Sequence, residues 1–374
     1  MGDLFSNVLN ITWQQVVMWV IGGVLIYLAI KKEMEPTLLL PMGFGAILVN
    51  LPLSGAVTQI YDTGTEEGVI DILFNAGIAN ELFPLLLFIG IGAMIDFGPL
   101  LSNPKMILFG AAAQFGIFFT ISLASLFGFE IKDAASIGII GAADGPTSIF
   151  VANYFDSKYI GAIIVAAYSY MALVPIVQPA VIRLITTKKE RMIRMPYEQK
   201  NVSKMTRILF PVLITVVAGI VAPRSVSLIG FLMFGNLIRE CGVLNSLSET
   251  AQNALANLVT LLLGITIATK MQASLFLTPE TLLIMGLGLI AFIFDTVGGV
   301  FFAKFLNLFS KKKINPMVGA AGISAFPMSA RVIHKMGLKE DPQNFLLMHA
   351  VGANVSGQIA SVIAGGLILS LVAR

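Results

Sequence analysis

Apolar runs of about 17 residues or more recur from one end of the sequence to the other, and each is long enough to cross a hydrocarbon core about 30 Å thick. Because that core holds no water, a crossing backbone must satisfy its own hydrogen bonds, which leaves helices or a closed barrel. The runs lack the alternation of barrel strands. Only 12% of the residues are charged, against about 25% in soluble domains. The sequence therefore predicts an all-α polytopic protein of the cell (cytoplasmic) membrane, with about 10–12 transmembrane segments.

The distribution of charge orients the chain. Residues 186–207 carry seven basic side chains against only Glu190 and Glu198, and the positive-inside rule places them in the cytoplasm. The net charge of +3 is small and gives no ground for a nucleic-acid partner. We therefore divide the chain into an N-terminal helix at 1–36, a first membrane repeat at 37–185, a basic cytoplasmic loop at 186–207, and a second membrane repeat with its leading helix at 208–374.

Short sequence patterns recur in the two halves in the same order. The matched positions are Gly45 with Gly235, Gly90 with Gly264, and Gly141 with Gly319. Duplication with inverted topology is common in secondary transporters. An inverted pair needs an odd number of membrane crossings between the start of one repeat and the start of the next. The apolar segments include 134–155 in the first half and 314–336 in the second, and they give an even number of crossings between the two starts. We predict two related, inverted repeats and place the miscounted element within 207–240.

The sharpest motif is Gly141-Ala-Ala-Asp-Gly-Pro-Thr-Ser148, which interrupts an otherwise apolar stretch. Gly145 and Pro146 break the helix, because proline removes an amide donor and clashes one turn back. Asp144 lies at the break, and Thr147 and Ser148 add hydroxyl oxygens, which suit a hard cation such as Na⁺. The alternative is a proline kink capped by Asp144. A mid-membrane aspartate costs about 2.5–3.5 kcal/mol, whereas a cap recovers only about 1 kcal/mol, which favours a functional role.

The second half carries a matching candidate break between Gly322 and Pro327. Its oxygen donors are Asn315, Ser324 and Ser329, and Arg331 offers a guanidinium fork for a carboxylate. The alternative is a helix packed through small residues, with Arg331 extending to the interface. The match to the first motif favours a functional segment. The sequence therefore predicts two broken helices, one in each repeat, near the middle of the membrane.

Other polar residues interrupt the apolar stretches without deciding between structure and function. They are Tyr168, Tyr170, Gln178, Asp295, Asn354, Ser356 and Gln358. Interhelical hydrogen bonding explains those of the final helix equally well, whereas an intramembrane aspartate such as Asp295 is a candidate site. His334 and His349 are the only histidines, which argues against a zinc site. The chain has no Met-Lys dipeptide and so no biotinyl-lysine motif of its own.

Four motifs together resemble those of the β subunit of sodium-translocating, biotin-dependent decarboxylases. They are Gly141-Ala-Ala-Asp-Gly-Pro-Thr-Ser, Ala167-Tyr-Ser-Tyr-Met-Ala-Leu-Val-Pro-Ile, Asp295-Thr-Val-Gly-Gly, and Asn315-Pro followed by Gly319, Ser324 and Arg331. That family serves oxaloacetate, glutaconyl-CoA and methylmalonyl-CoA decarboxylases. The resemblance runs over nearly the whole chain and implies an enzyme subunit that decarboxylates carboxybiotin, consumes a proton and exports Na⁺.

The resemblance also implies roles for individual residues. The Na⁺ ligands would be Asp144, Thr147, Asn315, Gly319 and Ser324; carboxybiotin would contact Asn315, Ser324 and Arg331; and the catalytic residues would be Asp144, Tyr170 and Arg331, with Tyr168 the neighbouring possibility for the tyrosine. Biotin would be carried by a partner and not by this chain. The implied partners are a carboxyltransferase α subunit, a biotin carrier subunit, a small membrane γ or δ subunit and further copies of this chain.

A function of another class shares the same architecture. A Na⁺-coupled secondary transporter of organic anions would also use broken helices and a mid-membrane aspartate. It would need no biotin protein, so a biotinylated partner that purifies with the chain separates the two hypotheses.

Overall fold

The computed structural model describes residues 10–61, 64–196 and 201–372. Lys200 of the basic loop and residues 1–9 of the predicted N-terminal segment lie outside these ranges. Before the loop, the α-helices are α1 (Trp13–Lys32), α2 (Pro36–Val49), α3 (Val69–Phe74), α4 (Leu82–Met94), α5 (Gly98–Ser102), α6 (Ile107–Ala113), α7 (Phe115–Leu126), α8 (Ile131–Gly138), α9 (Gly145–Tyr154) and α10 (Ile160–Ile185). A β-hairpin of β1 (Gln59–Tyr61) and β2 (Gly64–Glu66) lies between α2 and α3.

The second half is also helical. Its α-helices are α11 (Lys188–Arg191), α12 (Lys204–Val221), α13 (Val226–Glu240), α14 (Asn245–Glu249), α15 (Ala256–Ile267), α16 (Ala273–Phe276), α17 (Pro279–Phe309), α18 (Pro316–Ala320), α19 (Met328–Glu340) and α20 (Leu347–Val372). Single 3₁₀ turns lie at Pro104–Met106, Ile139–Ala142, Pro223–Ser225 and Ala268–Met271, and π turns lie at Asn75–Ala79 and Thr250–Leu255.

Seven helical segments in the described ranges are long and apolar enough to cross a membrane. They are Trp13–Lys32, Pro104–Leu126, Ile160–Ile185, Lys204–Val221, Asn245–Met271, Pro279–Phe309 and Leu347–Val372. A further pair, Val69–Ala79 with Leu82–Met94, is bent by 60°. Helices α2 and α13 are shorter, at 14 and 15 residues. The prediction of an all-α, multi-pass membrane protein is confirmed.

The first interrupted segment, α8 to α9, is re-entrant, and we call residues 131–154 hairpin 1. Ser157, just after α9, donates its hydroxyl to Asp133 in the first turn of α8 at 2.6 Å. A segment that crossed the membrane would hold its ends about 30 Å apart. Both ends therefore lie at one face. Helix α10 starts beside this face and runs 26 residues to the basic loop, so hairpin 1 enters from the side opposite that loop, the outer side.

The second interrupted segment, α18 to α19, is also re-entrant, and we call residues 316–340 hairpin 2. Asn315 at its start and Asn344 beyond its end both donate a side-chain amide to the Arg191 carbonyl at 2.9 Å. The positive-inside rule predicts that Arg191 and the rest of its loop face the cytoplasm. On that prediction hairpin 2 enters the membrane from the inner side, and in either orientation it enters from the side opposite to hairpin 1.

Contacts at the helix ends indicate on which side of the membrane each remaining helix ends. Arg239 in the last turn of α13 donates to the Met94 carbonyl at 2.7 Å on the side of the basic loop, and Asn50 after α2 donates to the Met271 carbonyl at 2.8 Å on the opposite side. These contacts indicate crossings at α2, α3–α4, α6–α7, α10 and α12 between the starts of the two predicted repeats. Five is odd, as an inverted pair requires; the duplication itself stays a prediction.

The expectation that 134–155 and 314–336 cross the membrane is therefore wrong, because the two ends of each segment lie close together. Removal of 134–155 already makes the number of crossings odd, and a miscounted element within 207–240 stays a prediction. The physical reason is that hydropathy measures only whether a segment avoids water. A break that turns the chain back and a break inside a straight span have the same composition.

Close backbone contacts hold the crossing helices together. A Cβ added to Gly92 of α4 would lie 1.9 Å from the Leu232 carbonyl oxygen of α13, and one added to Gly235 would lie 2.1 Å from the Ile89 carbonyl oxygen. Small residues of this kind let membrane helices approach where lipid offers no hydrophobic driving force. The two hairpins pack inside the protein, against α6, α7, α10, α17 and α20. Their irregular backbone is thereby shielded from lipid, as a non-helical segment at this depth requires.

Single cysteines in a Cys241→Ser background test the two hairpins. Glu130 and Lys158 flank hairpin 1, Lys313 and Gln343 flank hairpin 2, and all four side chains are exposed. In intact cells, a membrane-impermeant maleimide should label cysteines at 130 and 158, whereas those at 313 and 343 should react only after permeabilisation. Labelling of the two members of either pair from opposite sides would contradict re-entrant hairpins.

Candidate ion site between the hairpin tips

The tips of the two hairpins meet inside the protein. The Ser324 amide of hairpin 2 donates to the Ala142 carbonyl of hairpin 1 at 3.0 Å. The Ser324 hydroxyl donates to Oδ2 of Asp144, also at 3.0 Å. Each tip thus supplies a hydrogen-bond partner for groups on the other tip, which the interruption of the helix there leaves without an intrahelical partner.

The chain geometry at the first tip places Asp144 in this contact. Ala143 takes a left-handed conformation, with φ 51°, which is costly for a residue with a side chain, on the order of 1–3 kcal/mol. Asp144 follows in an extended conformation and caps α9, its Oδ1 accepting from the Thr147 amide at 3.2 Å. The capping role considered from the sequence and the position at the break are therefore both present. The cap uses only one carboxylate oxygen and leaves Oδ2 for the opposite tip.

Helix α20 completes the surroundings of Asp144. Ser361 donates to Oδ2 at 2.9 Å and lies 3.1 Å from the Ser324 hydroxyl, and Gln358 donates its amide to Oδ2 at 3.2 Å. One turn earlier, Asn354 donates to the Ile323 carbonyl at 2.6 Å, while its own side-chain oxygen is buried without a hydrogen-bond partner. The carboxylate is thus enclosed by neutral polar groups from three separate segments.

The charge balance of this cluster fits a monovalent cation. Asp144 is only 3% exposed, and none of the ion pairs among the described residues involves it. The described chain also holds no group of three His, Cys, Asp or Glu side chains that would suit a transition metal or a divalent ion. A buried carboxylate without a counter-charge is expensive, whereas one positive ion among carboxylate, hydroxyl and amide oxygens neutralises it. The site therefore has the composition that Na⁺ requires.

A tyrosine of α10 also contacts the first tip. A Cβ added to Gly145 would lie 2.3 Å from Cζ of Tyr168, so only glycine admits the ring here. The Tyr168 hydroxyl is buried and has no hydrogen-bond partner among the described residues. Tyr170, the expected catalytic tyrosine, instead donates its hydroxyl to the Met285 carbonyl of α17. The neighbouring possibility, Tyr168, is the tyrosine that packs directly beside Asp144.

The structure places the other expected Na⁺ ligands differently. Asn315 lies at the base of hairpin 2, where its amide donates to the Arg191 and Ile193 carbonyls and its oxygen caps α18 at the Met317 amide. Gly319 packs against Gly299 of α17, where an added Cβ would lie 2.0 Å from the Gly299 carbonyl oxygen. Of the expected ligands, Asp144, Thr147 and Ser324 come together; ligand roles for Asn315 and Gly319 stay predictions.

Arg331 lies apart from the tips, on the first turns of α19. Its side chain is exposed and close enough to Glu35, in the turn before α2, to interact with its charge. Burial raises the pKa of Glu35, and the positive charge of Arg331 offsets part of that rise. Hairpin 2 enters from the inner side, so Arg331 is accessible from the side on which the basic loop lies.

Two residues of the cluster escaped detection from the sequence as site residues. In the sequence, interhelical hydrogen bonding explains Gln358 equally well, and no motif singles out Ser361. Asn354, Gly357, Gln358 and Ser361 recur at i, i+3, i+4 and i+7, which places them on one helix face. This stripe of polar side chains on an otherwise apolar helix is the signal in the sequence that indicates Gln358 and Ser361.

Comparison with known proteins gives consistent results over the whole chain. Residues 14–372 match the family model described as the Na⁺-transporting oxaloacetate decarboxylase beta subunit. The chain is 48% identical to a methylmalonyl-CoA decarboxylase subunit beta of Propionigenium modestum (95% of this chain, 94% of the relative). It is also 48% identical to a glutaconyl-CoA decarboxylase subunit beta of Acidaminococcus fermentans (98% and 96%), and 44% identical to an oxaloacetate decarboxylase beta chain of Klebsiella pneumoniae (96% and 95%).

Proposed function

Because the chain belongs to the family of Na⁺-transporting oxaloacetate decarboxylase beta subunits, we propose that it decarboxylates carboxybiotin and uses this reaction to export Na⁺. The observation that carries the proposal is the buried, unpaired Asp144 carboxylate between the two hairpin tips. Three donors meet at its Oδ2, from Ser324, Gln358 and Ser361. In the ion-bound state the same hydroxyls turn their lone pairs towards Na⁺, and the amide offers its oxygen.

The opposed hairpins suit alternating access. Each enters from one face, and the Na⁺ site lies where they meet, so an ion there is separated from each solution by one hairpin. Among the described residues, the direct hydrogen bonds between the tips are the Ser324 contacts with Ala142 and Asp144, and Ser361 bridges Asp144 and Ser324. Moving one Na⁺ against 100 mV requires about 2.3 kcal/mol before any concentration term, and decarboxylation supplies it.

The chemical step needs a carboxylate-binding group and a proton. The bond between the biotin nitrogen and the carboxyl carbon breaks, CO₂ leaves, and the nitrogen takes up one proton. Arg331 is the exposed guanidinium on the inner part of hairpin 2, and it matches a carboxylate in geometry and charge. In this proposal Asn315 and Ser324 also contact carboxybiotin, and Tyr170 takes part in proton transfer.

The partners follow from this chemistry. Carboxybiotin arrives on a biotin carrier subunit that a carboxyltransferase α subunit has charged, and a small membrane γ or δ subunit and further copies of this chain complete the assembly. An organic-anion transporter would need none of these proteins. A biotinylated protein that purifies with the chain supports the decarboxylase, and Na⁺-coupled organic-anion uptake by the chain alone would support the transporter.

Asp144→Asn, compared with Asp133→Asn, tests the Na⁺ site. Asparagine caps a helix as well as aspartate, so both proteins should fold. Loss of the carboxylate charge at the hairpin tips should lower Na⁺-dependent carboxybiotin decarboxylation about 100-fold or more, since an unpaired buried charge partner costs about 3–5 kcal/mol. Asp133→Asn retains an oxygen for Ser157 at the outer end of the same hairpin and should stay near the wild-type rate. Full activity of Asp144→Asn in reconstituted vesicles would refute the assignment.

Arg331→Gln, with Lys339→Gln on the same helix as control, tests the carboxybiotin contact. Loss of a charge-assisted hydrogen bond of about 1.5–3 kcal/mol should raise KM for carboxybiotin about tenfold to 100-fold. The Na⁺ concentration for half-maximal rate should not change, because Arg331 does not contact the tip cluster. An unchanged KM, or a shift in Na⁺ dependence alone, would rule out this role.

A further inference from the structure

A second buried carboxyl, that of Asp295, has no role in the proposed Na⁺ site. Asp295 is the 17th of the 31 residues of α17, close to the middle of the membrane, and it is 0% exposed. Its Oδ1 accepts from the Ile117 amide of α7 at 3.1 Å, just after the chain interruption at Gln114 between α6 and α7. That contact explains why a hydrogen-bond acceptor is present at this position. It does not explain why the residue is an ionisable aspartate, since an asparagine oxygen would accept the same hydrogen bond.

The other oxygen of Asp295 faces hairpin 1. A Cβ added to Gly141 would lie 2.7 Å from Oδ2 and 2.9 Å from Cβ of Ala291. Oδ2 has no hydrogen-bond partner among the described residues. Gly141 belongs to the 3₁₀ turn Ile139–Ala142 that leads into Asp144. Asp295 and Asp144 therefore lie on either side of one short turn in the hairpin.

No cationic side chain is available to neutralise Asp295. Helices α6, α7 and α18 and the turn Ile139–Ala142 carry no ionisable residue. The ionisable groups on the remaining packed elements are Tyr168 and Tyr170 of α10, Arg183 at its inner end, Lys132 and Asp133 at the outer end of α8, Asp144 after the turn, and Glu280 and Lys304 towards the two ends of α17. The charged members other than Asp144 lie towards the membrane faces.

We propose that Asp295 is a second ion-binding residue of the pump, which binds a proton while Asp144 binds Na⁺. A bound metal ion would need about six oxygen ligands, whereas Oδ2 has no hydrogen-bond partner among the described residues and borders the space beside Gly141 together with the apolar Cβ of Ala291. A proton needs only the oxygen itself. Movement of hairpin 1 changes the contact at Gly141 and exposes Oδ2, so proton exchange at Asp295 is linked to Na⁺ binding and release. Intramembrane carboxyls commonly act as such proton relays.

The inference rests on the proposed function, and one set of vesicles tests both. The complete decarboxylase complex is reconstituted with wild-type chain, Asp295→Asn or Thr296→Val, and Na⁺ uptake is measured from about pH 6 to pH 9. Thr296 is equally buried, and its hydroxyl bonds only within α17, to the Phe292 carbonyl, which makes it the matched control. Asp295→Asn should slow transport about 100-fold at every pH while Na⁺ affinity stays at the wild-type value, because proton exchange is lost and the Na⁺ site is not. Thr296→Val should keep the wild-type rate.

The outcomes separate the two claims. If Asp295→Asn transports Na⁺ within twofold of the wild-type rate and with the same pH profile, the inference is overturned. The role of Asp295 is then only to accept the hydrogen bond from the Ile117 amide. Absence of Na⁺ uptake by the wild-type complex would instead refute the proposed function. If Asp295→Asn does not reach the membrane, infrared spectra of the wild-type complex with ¹³C-labelled aspartate in saturating Na⁺ decide. A protonated aspartate band that disappears at alkaline pH supports the inference, and its absence at every pH overturns it.

Discussion

The contact between Ser324 and the Asp144 carboxylate is the interaction on which the rest of the structure depends. It joins the tips of two hairpins and is buried inside the protein, where an unpaired polar group is expensive. The residues around Asp144 position and support that contact. The left-handed Ala143 positions the carboxylate, Gly145 admits Tyr168, and helix α20 adds Gln358 and Ser361.

The bases of the hairpins are held as firmly as their tips. Hairpin 1 is closed by Asp133 and Ser157, and hairpin 2 by the asparagines on the Arg191 carbonyl. Ion pairs from the basic loop to the end of hairpin 2 strengthen the inner face, with Arg191 on Glu340 at 2.9 Å and Arg194 on Asp341 at 2.5 Å. The bases of the hairpins are thus held by hydrogen bonds and ion pairs, whereas the tips are joined by a few hydrogen bonds.

Much of this was predictable from the sequence. Long apolar runs with few charges determine an all-helical membrane protein, and the pair Gly145-Pro146 determines where the first helix stops. The turn direction at each break was not predictable, because it depends on hydrogen bonds between residues 24 or more positions apart, such as Ser157 with Asp133. For the same reason the contacts of Asn315 were not predictable. Its amide donates to the Arg191 and Ile193 carbonyls at the base of hairpin 2, while its role as a ligand stays a prediction.

The position of the bound ion tests the central claim most directly. Thallium(I), a monovalent stand-in for Na⁺, can be located by its anomalous scattering in crystals of the full chain, with excess Na⁺ as competitor. The structure predicts one Na⁺-displaceable peak between the hairpin tips, in contact with Asp144, Ser324 and Ser361. A peak elsewhere in the membrane region, with none beside Asp144, would contradict a Na⁺ site at the meeting point of the two hairpins.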